Sequence, residues 1–113
     1  MKSPNFYLYP AKVLDIYDGD TITVECDLGF KIKIELKIRL YGIDTPELRG
    51  KTKTKGIKAR DYLKLLIENE DIIIETFFDR TGKYGRHLAK VWLGTVCVND
   101  LLVEKGLAVY KDY

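Results

Sequence analysis

Hydrophobic and polar residues alternate along the first third of the chain, which is the pattern of strands that bury one face. The run from Thr21 to Asp27 alternates in this way. The run from Lys31 to Leu40 is stricter, since every second residue is apolar and the others are charged. Ala11 to Tyr17 forms a further candidate strand, and Gly29 suits a hairpin turn between the other two. The chain is therefore predicted to begin with three strands.

The period of the pattern changes in the middle of the chain. From Ala59 to Ile67, apolar residues recur at every third or fourth position, which is typical of a helix that buries one stripe. Thr52 and Thr54 are candidate N-caps for this helix, and Asn69 suits its end. The sequence thus predicts one helix after the third strand.

Two more strands and a short helix complete the pattern. The strands are predicted over Asp71 to Phe78 and Arg86 to Leu93, and the helix runs from a cap at Asn99 to Lys105, with Gly106 as its left-handed stop. This order favours a mainly β (α+β) fold, a five-stranded OB-fold barrel with a helix after the third strand and a short C-terminal helix. A mixed α+β sandwich shares the same order and is the alternative.

These elements predict a single domain over residues 1–113, with residues 1–10 as an N-terminal extension and residues 109–113 as a C-terminal tail. Its two cysteines, Cys26 and Cys97, lack metal-binding spacing and are expected to be buried thiols, with a disulfide as the alternative. A monomer is the expected state for such a small barrel.

Composition narrows the classes of partner. No run approaches the ~20 apolar residues of a membrane span, so no membrane partner is expected. The first ten residues lack a signal-peptide pattern, which predicts a cytoplasmic protein, while a secreted mature form stays compatible. The net charge of +2 says little, but residues 49–58 hold five basic side chains and no acid. Such a run can attract phosphate or be an ordinary solvated loop.

Two polar segments follow apolar strands at points where packing does not require them. The first is Asp18-Gly19-Asp20-Thr21, and the second is Gly42-Ile43-Asp44-Thr45-Pro46-Glu47. Each taken alone can be a simple turn. Taken together, Asp20 and Asp44 can supply two carboxylates to one hard cation such as calcium, with the carbonyl of Thr45 as a third oxygen ligand.

A third segment, from Asp79 to Arg86, combines glycines with donors for phosphate. Lys83, Tyr84 and Arg86 can all donate hydrogen bonds to phosphate oxygens, although a basic hairpin is the plain alternative. Arg39, on the polar face of the third strand, is by itself an ordinary surface arginine. Phosphodiester cleavage needs a metal and guanidinium groups to stabilise negative charge, together with a carboxylate that acts on water.

These motifs, with Val98-Asn99 and Gly106-Leu107-Ala108, occur in an order that resembles the staphylococcal nuclease (thermonuclease) family. The resemblance runs from about Ala11 to Ala108. It implies an OB-fold barrel and calcium-dependent hydrolysis of DNA and RNA to products that carry 3′-phosphates. By motif position, it implies that Asp20 and Asp44 bind calcium through carboxylates and Thr45 through its carbonyl.

The resemblance also assigns the groups that meet the substrate. Arg39 and Arg86 would hold the scissile phosphate, and Glu47 would act on water as a general base or as an orienting group. Lys83 and Tyr84 would contact a terminal phosphate of the bound nucleotide. The basic run at residues 49–58 falls where the family has a mobile loop beside the active site.

Two features depart from the family pattern. The staphylococcal enzyme continues into a further C-terminal helix, and the base-stacking tyrosine has no certain counterpart here, with Tyr110 and Tyr113 as the two candidates. The main alternative to a nuclease is a nucleic-acid- or protein-binding OB-fold module that is catalytically weak. Because the metal carboxylates, both arginines and the glutamate are all present, the sequence favours catalysis.

Overall fold

The alternating segments fold into a β-barrel in a computed structural model that describes residues 7–77 and 87–111. The strands are β1 (Leu8–Asp18), β2 (Thr21–Asp27), β3 (Lys33–Leu40), β4 (Ile43–Asp44), β5 (Asp71–Phe77), β6 (His87–Leu93), β7 (Val96–Cys97) and β8 (Val109–Tyr110). The helices are α1 (Lys53–Ile67), which a 3-10 turn at Gly50–Thr52 precedes, and α2 (Val98–Glu104). No helix within the described ranges is long and apolar enough to cross a membrane.

Five strands form the barrel in the order β3-β2-β1-β5-β6, each antiparallel to its neighbour. The barrel closes through a parallel pairing of β3 with β6, in which Ile38 lies opposite His87 and Arg39 opposite Leu88. The predicted five-stranded OB-fold barrel, with one helix after the third strand and a short helix near the C-terminus, is confirmed. Closure between β3 and β6 excludes the alternative of a sandwich of two separate sheets.

The core consists of inward-facing aliphatic side chains from all five barrel strands. Completely buried examples are Val13, Ile22, Val24, Ile38, Ile74 and Val91. Helix α1 adds Leu63 and Ile67 to the same cluster. Because burying each such side chain contributes about 1.5–3 kcal/mol, α1 is held firmly against the barrel.

Strand β3 is shorter and less evenly buried than its sequence predicts. The turn before it extends to Lys31, since Phe30 and Lys31 have left-handed φ values of 55° and 62°. Ile38 is fully buried, whereas Ile32 is 53% exposed and Ile34 44% exposed. The alternation is therefore real, but only the C-terminal half of the strand reaches the barrel interior.

The described parts of both predicted chain ends take part in strands. Leu8–Lys12 pair with β5, although residues 1–10 are predicted as an extension. Pairing with β2 starts only at Ala11, so Pro10 has a strand neighbour on one side alone, where a proline is tolerated. Val109–Tyr110 pair with β4, although residues 109–113 are predicted as a tail.

The predicted helix caps are partly wrong. Thr52 stands at the N-cap position of α1 without a side-chain cap, because its hydroxyl bonds carbonyl oxygens before the helix. Asn99 lies inside α2, not at its cap, and its buried side chain bonds the backbone of Tyr41 and Val91. The predicted C-terminal ends of the two helices are confirmed. Asn69 after α1 and Gly106 after α2 have left-handed φ values of 61° and 74°. The cysteines are free buried thiols, as expected.

Candidate active site

Two turns meet at the C-terminal end of β3 and bring the predicted site residues together. The β1–β2 turn carries Asp20, whose carbonyl oxygen accepts a hydrogen bond from the Leu40 N–H at 2.8 Å. On the other side, a turn at Gly42 leads β3 into β4, and its φ of +78° is one that favours glycine. Asp44 therefore returns toward Arg39, which lies near the end of β3.

Arg39 is buried between two carboxylates and is not on the surface as its alternating pattern predicts. Its residue is only 7% exposed. One terminal nitrogen lies 3.4 Å from Asp20 Oδ2 and donates to the Leu40 carbonyl at 3.0 Å. The other lies 3.2 Å from Asp44 Oδ1. Because a buried charge is costly unless it is paired, these contacts explain how the guanidinium is tolerated there.

Asp20 lies at the centre of the site and is held in its ionised form. Its Oδ2 accepts the Thr45 N–H at 3.1 Å, and its Oδ1 accepts the Thr21 hydroxyl at 3.2 Å. Burial opposes ionisation, but the hydrogen bond with Asp18, the charge of Arg39 and the Thr45 N–H outweigh it and hold the pKa of Asp20 below its usual value.

Asp18 is a third carboxylate at the site, which the sequence reasoning did not assign. Its Oδ1 accepts the backbone N–H of Asp20 at 3.0 Å. Burial, followed by the hydrogen bond with Asp20 and the negative charge of Asp20, raises the pKa of Asp18 to about 6. The available signal was its position two residues before Asp20 across a tight turn, which a common Asp-Gly turn also explains.

The donor atoms at the site fit a hard cation in their chemistry. Asp20 is buried and ionised, and the side chain of Asp44 is 49% exposed. The Thr45 hydroxyl oxygen is buried, and among the described residues it has no partner at hydrogen-bond geometry. Within residues 7–77 and 87–111, no three acidic, histidine or cysteine side chains converge as a ready metal cluster. Carbonyl or hydroxyl oxygens and water would therefore complete the ligand set of a calcium ion.

Glu47 borders an open cleft next to these carboxylates. The cleft has a volume of about 340 Å³, and its walls include Tyr17, Asp18, Glu47 and Arg49. The Glu47 side chain is 73% exposed, with Oε2 3.5 Å from the Arg49 Nε. An exposed ion pair of this kind is weak, so the Glu47 carboxylate is available to solvent and to a ligand in the cleft.

Helix α1 supports the β1–β2 turn and the segment after β4 through close glycine contacts. A Cβ placed on Gly19 would lie 2.8 Å from the Ala59 Cβ and 3.0 Å from the Thr45 Cβ. A Cβ placed on Gly56 would lie 2.4 Å from the Glu47 carbonyl oxygen. The backbone of Glu47 is thus packed directly on α1, and the Asp20 turn is packed on the next turn of the same helix.

Replacing Gly56 by alanine should destabilise the protein, although alanine favours helices. The substitution gains about 1 kcal/mol in helix propensity. It also forces a methyl group against backbone atoms, and such overpacking typically costs about 1–3 kcal/mol. We expect thermal denaturation at a lower temperature for Gly56→Ala, whereas the exposed control Thr54→Ala in the same helix should not lower it. A more stable Gly56→Ala protein would contradict this packing.

Three predicted residues lie outside the described residues, namely Lys83, Tyr84 and Arg86, so their contacts with the site stay predictions. The described chain resumes at His87, which lies opposite Ile38 in the β3–β6 pairing. The candidate base-stacking residue Tyr110 is 65% exposed in β8, directly opposite Ile43, and donates to Asp100 at 3.1 Å. The other candidate, Tyr113, is also outside the described residues.

Comparison with known proteins agrees with this arrangement. The family described as staphylococcal nuclease homologue matches residues 37–113. The thermonuclease of Staphylococcus hyicus is 36% identical over 105 residues, which cover 90% of this chain and 59% of that protein. The thermonuclease of Staphylococcus intermedius is 36% identical over 101 residues, covering 87% and 57% respectively.

An uncharacterised protein of Methanocaldococcus jannaschii is also similar, at 32% identity over 88% of this chain and 58% of its own length. The chain spans less than two thirds of the length of each of these relatives. The family match nevertheless covers well over half of the chain and reaches from β3 to its last residue. The chain therefore belongs to the staphylococcal nuclease family.

Proposed function

We propose that this protein is a calcium-dependent nuclease that hydrolyses phosphodiester bonds in DNA and RNA and leaves 3′-phosphates. The observation that carries the proposal is the buried guanidinium of Arg39, within 3.4 Å of Asp20 and 3.2 Å of Asp44. An open cleft is connected to this cluster through Asp18, which borders the cleft and accepts the Asp20 N–H. Two carboxylates and an arginine at one point provide both a cation site and a phosphate site. Membership of a nuclease family supports the same conclusion.

The proposed calcium ligands are the carboxylates of Asp20 and Asp44 and the carbonyl of Thr45. Asp20 is suited to this role because its lowered pKa keeps the carboxylate ionised near neutral pH. When bound, the calcium ion supplies positive charge beside the scissile phosphate. The hydrogen bond from the Thr45 N–H to Asp20 Oδ2 holds the two ligand segments in a fixed relation.

The proposed phosphate-binding groups are Arg39 and Arg86. Arg39 has a forked set of donors that can pair with carboxylate oxygens or, equally, with two phosphate oxygens. It is therefore placed to stabilise the negative charge that develops on the phosphate in the transition state. Lys83 and Tyr84 are proposed to hold a terminal phosphate of the nucleotide.

Glu47 is proposed to orient or deprotonate the attacking water. Its carboxylate is exposed at the cleft that Asp18 also borders, so a water molecule there can reach it. Its backbone is fixed on α1 at Gly56, which limits how far the carboxylate can stray. A general base needs this kind of fixed approach to the reacting water.

The test is cleavage of single-stranded DNA in calcium and again with a chelator in place of the metal. We expect cutting only with calcium, with 3′-phosphate ends identified by mass spectrometry of the products. An Arg39→Lys protein purified in parallel controls for contaminating nucleases, since it should lose the activity. A folded protein that binds DNA but does not cut it in calcium would instead identify a nucleic-acid-binding module.

A further inference from the structure

The start of α1 carries a row of exposed lysines next to the candidate active site. Lys51, Lys55 and Lys58 are all exposed. Lys51 lies in the 3-10 turn that leads into α1, and Lys55 and Lys58, three residues apart, lie on one side of α1. At about 1.5–2 Å per residue, the row is roughly 10–14 Å long. We call these three residues the lysine ridge.

Within residues 7–77 and 87–111, no acidic side chain is paired with the ridge. The first turn of α1 contains no acidic residue. The ion pairs on this part of the surface join other residues, Arg49 with Glu47 and Arg60 with Asp61. Among the described residues, no acid forms a salt bridge with any of the three lysines. The ridge therefore presents to a ligand three positive charges that form no ion pair with a described acid.

Helix stability does not explain this placement. The N-terminal end of a helix carries partial positive charge, so lysines there are unfavourable and acids are preferred. Lys51 and Lys55 nevertheless flank the beginning of α1. A negatively charged ligand would reverse the unfavourable interaction, whereas a purely structural role would not call for these residues.

The ridge is fixed in position relative to the cleft. The Thr52 hydroxyl donates to the Glu47 carbonyl at 3.0 Å, so the residue after Lys51 is bonded to the cleft residue. Gly56, which follows Lys55, packs against the same Glu47 backbone. The ridge thus lies beside Glu47, a residue of the cleft wall, along the part of α1 that packs on the site.

We infer that the lysine ridge binds the phosphate backbone of the polynucleotide strand beyond the nucleotide that lies in the cleft. The inference rests on the proposed nuclease function and narrows its substrate class to strands long enough to occupy both places. Lysines act as point charges on phosphates and read no base, so this binding does not depend on sequence. Short dinucleotide substrates do not reach the ridge.

The test compares the parent protein with the triple variant Lys51→Gln, Lys55→Gln, Lys58→Gln. The matched control replaces Lys12, Lys31 and Lys105, three exposed lysines outside α1 and the 3-10 turn before it, by glutamine and so removes the same charge. The first measurement is the binding of a fluorescent oligothymidylate of about 30 nucleotides, in chelator, across roughly 50–200 mM salt. The second is KM and kcat in calcium, both for this strand and for a thymidine dinucleotide.

For the ridge variant we expect binding of the long strand to weaken roughly tenfold or more, and the salt dependence to fall by about 2 in the slope of log K against log salt. KM for the long strand should rise in parallel, while kcat and the dinucleotide kinetics stay the same. The control variant should behave like the parent protein, and the thermal stability of the ridge variant should not fall.

Equal salt slopes for the ridge variant and the parent would overturn the inference, as would an equal loss in the control variant. The binding measurement separates this outcome from failure of the proposed function. A protein that cuts neither substrate but loses binding only in the ridge variant would refute the nuclease activity and retain the ridge as a polynucleotide surface. A parent protein without affinity for the long strand at low salt would refute the ridge.

Discussion

Replacing Arg39 by lysine is expected to lower kcat for single-stranded DNA by about 10²- to 10³-fold, the loss typical when a charge-stabilising donor is removed from an active site. Lysine keeps the positive charge between Asp20 and Asp44, so the two carboxylates still have a partner. It loses the planar fork that can hold two phosphate oxygens at once. The expected effect is therefore on turnover and not on folding.

The control for this substitution is Arg60→Lys, the same change at an arginine in an exposed pair with Asp61 on α1. Steady-state kinetics with saturating calcium and thermal denaturation would be measured on both variants. If Arg39 only neutralises Asp20 and Asp44, Arg39→Lys would keep full turnover in the folded protein. That outcome would remove the arginine from the proposed chemistry and strengthen the interpretation as a binding module.

The sequence predicted the barrel because its signals are local. Alternation marks β2 and β3, a helical period marks α1, and glycine or asparagine marks the helix ends. The parallel pairing of β3 with β6 has no local signal, since it joins residues about fifty positions apart through tertiary packing. The family resemblance implied a closed barrel, whereas the residue pattern alone was also compatible with a sandwich.

The residues of the site could be predicted from the sequence, whereas their burial and their charge interactions could not. The motifs named Asp20, Asp44 and Arg39, and the structure brings all three into contact. The alternating pattern placed Arg39 on the polar face of β3. It did not reveal that two turns cover this face at the end of the strand. The β1–β2 turn also places Asp18 next to Asp20, and burial, followed by the hydrogen bond with Asp20 and its charge, raises the pKa of Asp18 in a way that no spacing rule shows.

The contacts of α1 were hidden for a similar reason. Gly56 lies inside a helix, where glycine is unfavourable. The reason is visible only in the structure, because a side chain at this position would collide with the Glu47 backbone. Thr52 was a candidate cap, yet its hydroxyl bonds the Glu47 carbonyl. Both residues stabilise the helix less than other choices would, and they instead hold the segment at Glu47 in position. Helix propensity alone cannot predict this role.

Replacing Asp20 by asparagine should separate metal binding from fold. The amide oxygen can still accept the Thr45 N–H, so the β1–β2 turn keeps its anchor. The buried negative charge is lost, and the affinity for calcium depends on the charge of its ligands. We expect calcium affinity to fall by about 10- to 100-fold or more, since even groups that only support a metal ligand cost this much when they are replaced.

Calorimetric titration with calcium measures this loss without reference to catalysis, and Asp15→Asn, an exposed carboxylate on the same strand as Asp18, is the matched control. Cleavage by Asp20→Asn should recover in part at high calcium, because the defect lies in occupancy of the site. An unchanged calcium titration would show that Asp20 is not a ligand. Its contacts with Arg39 and Thr45 would then serve only to hold the end of β3 against its two turns.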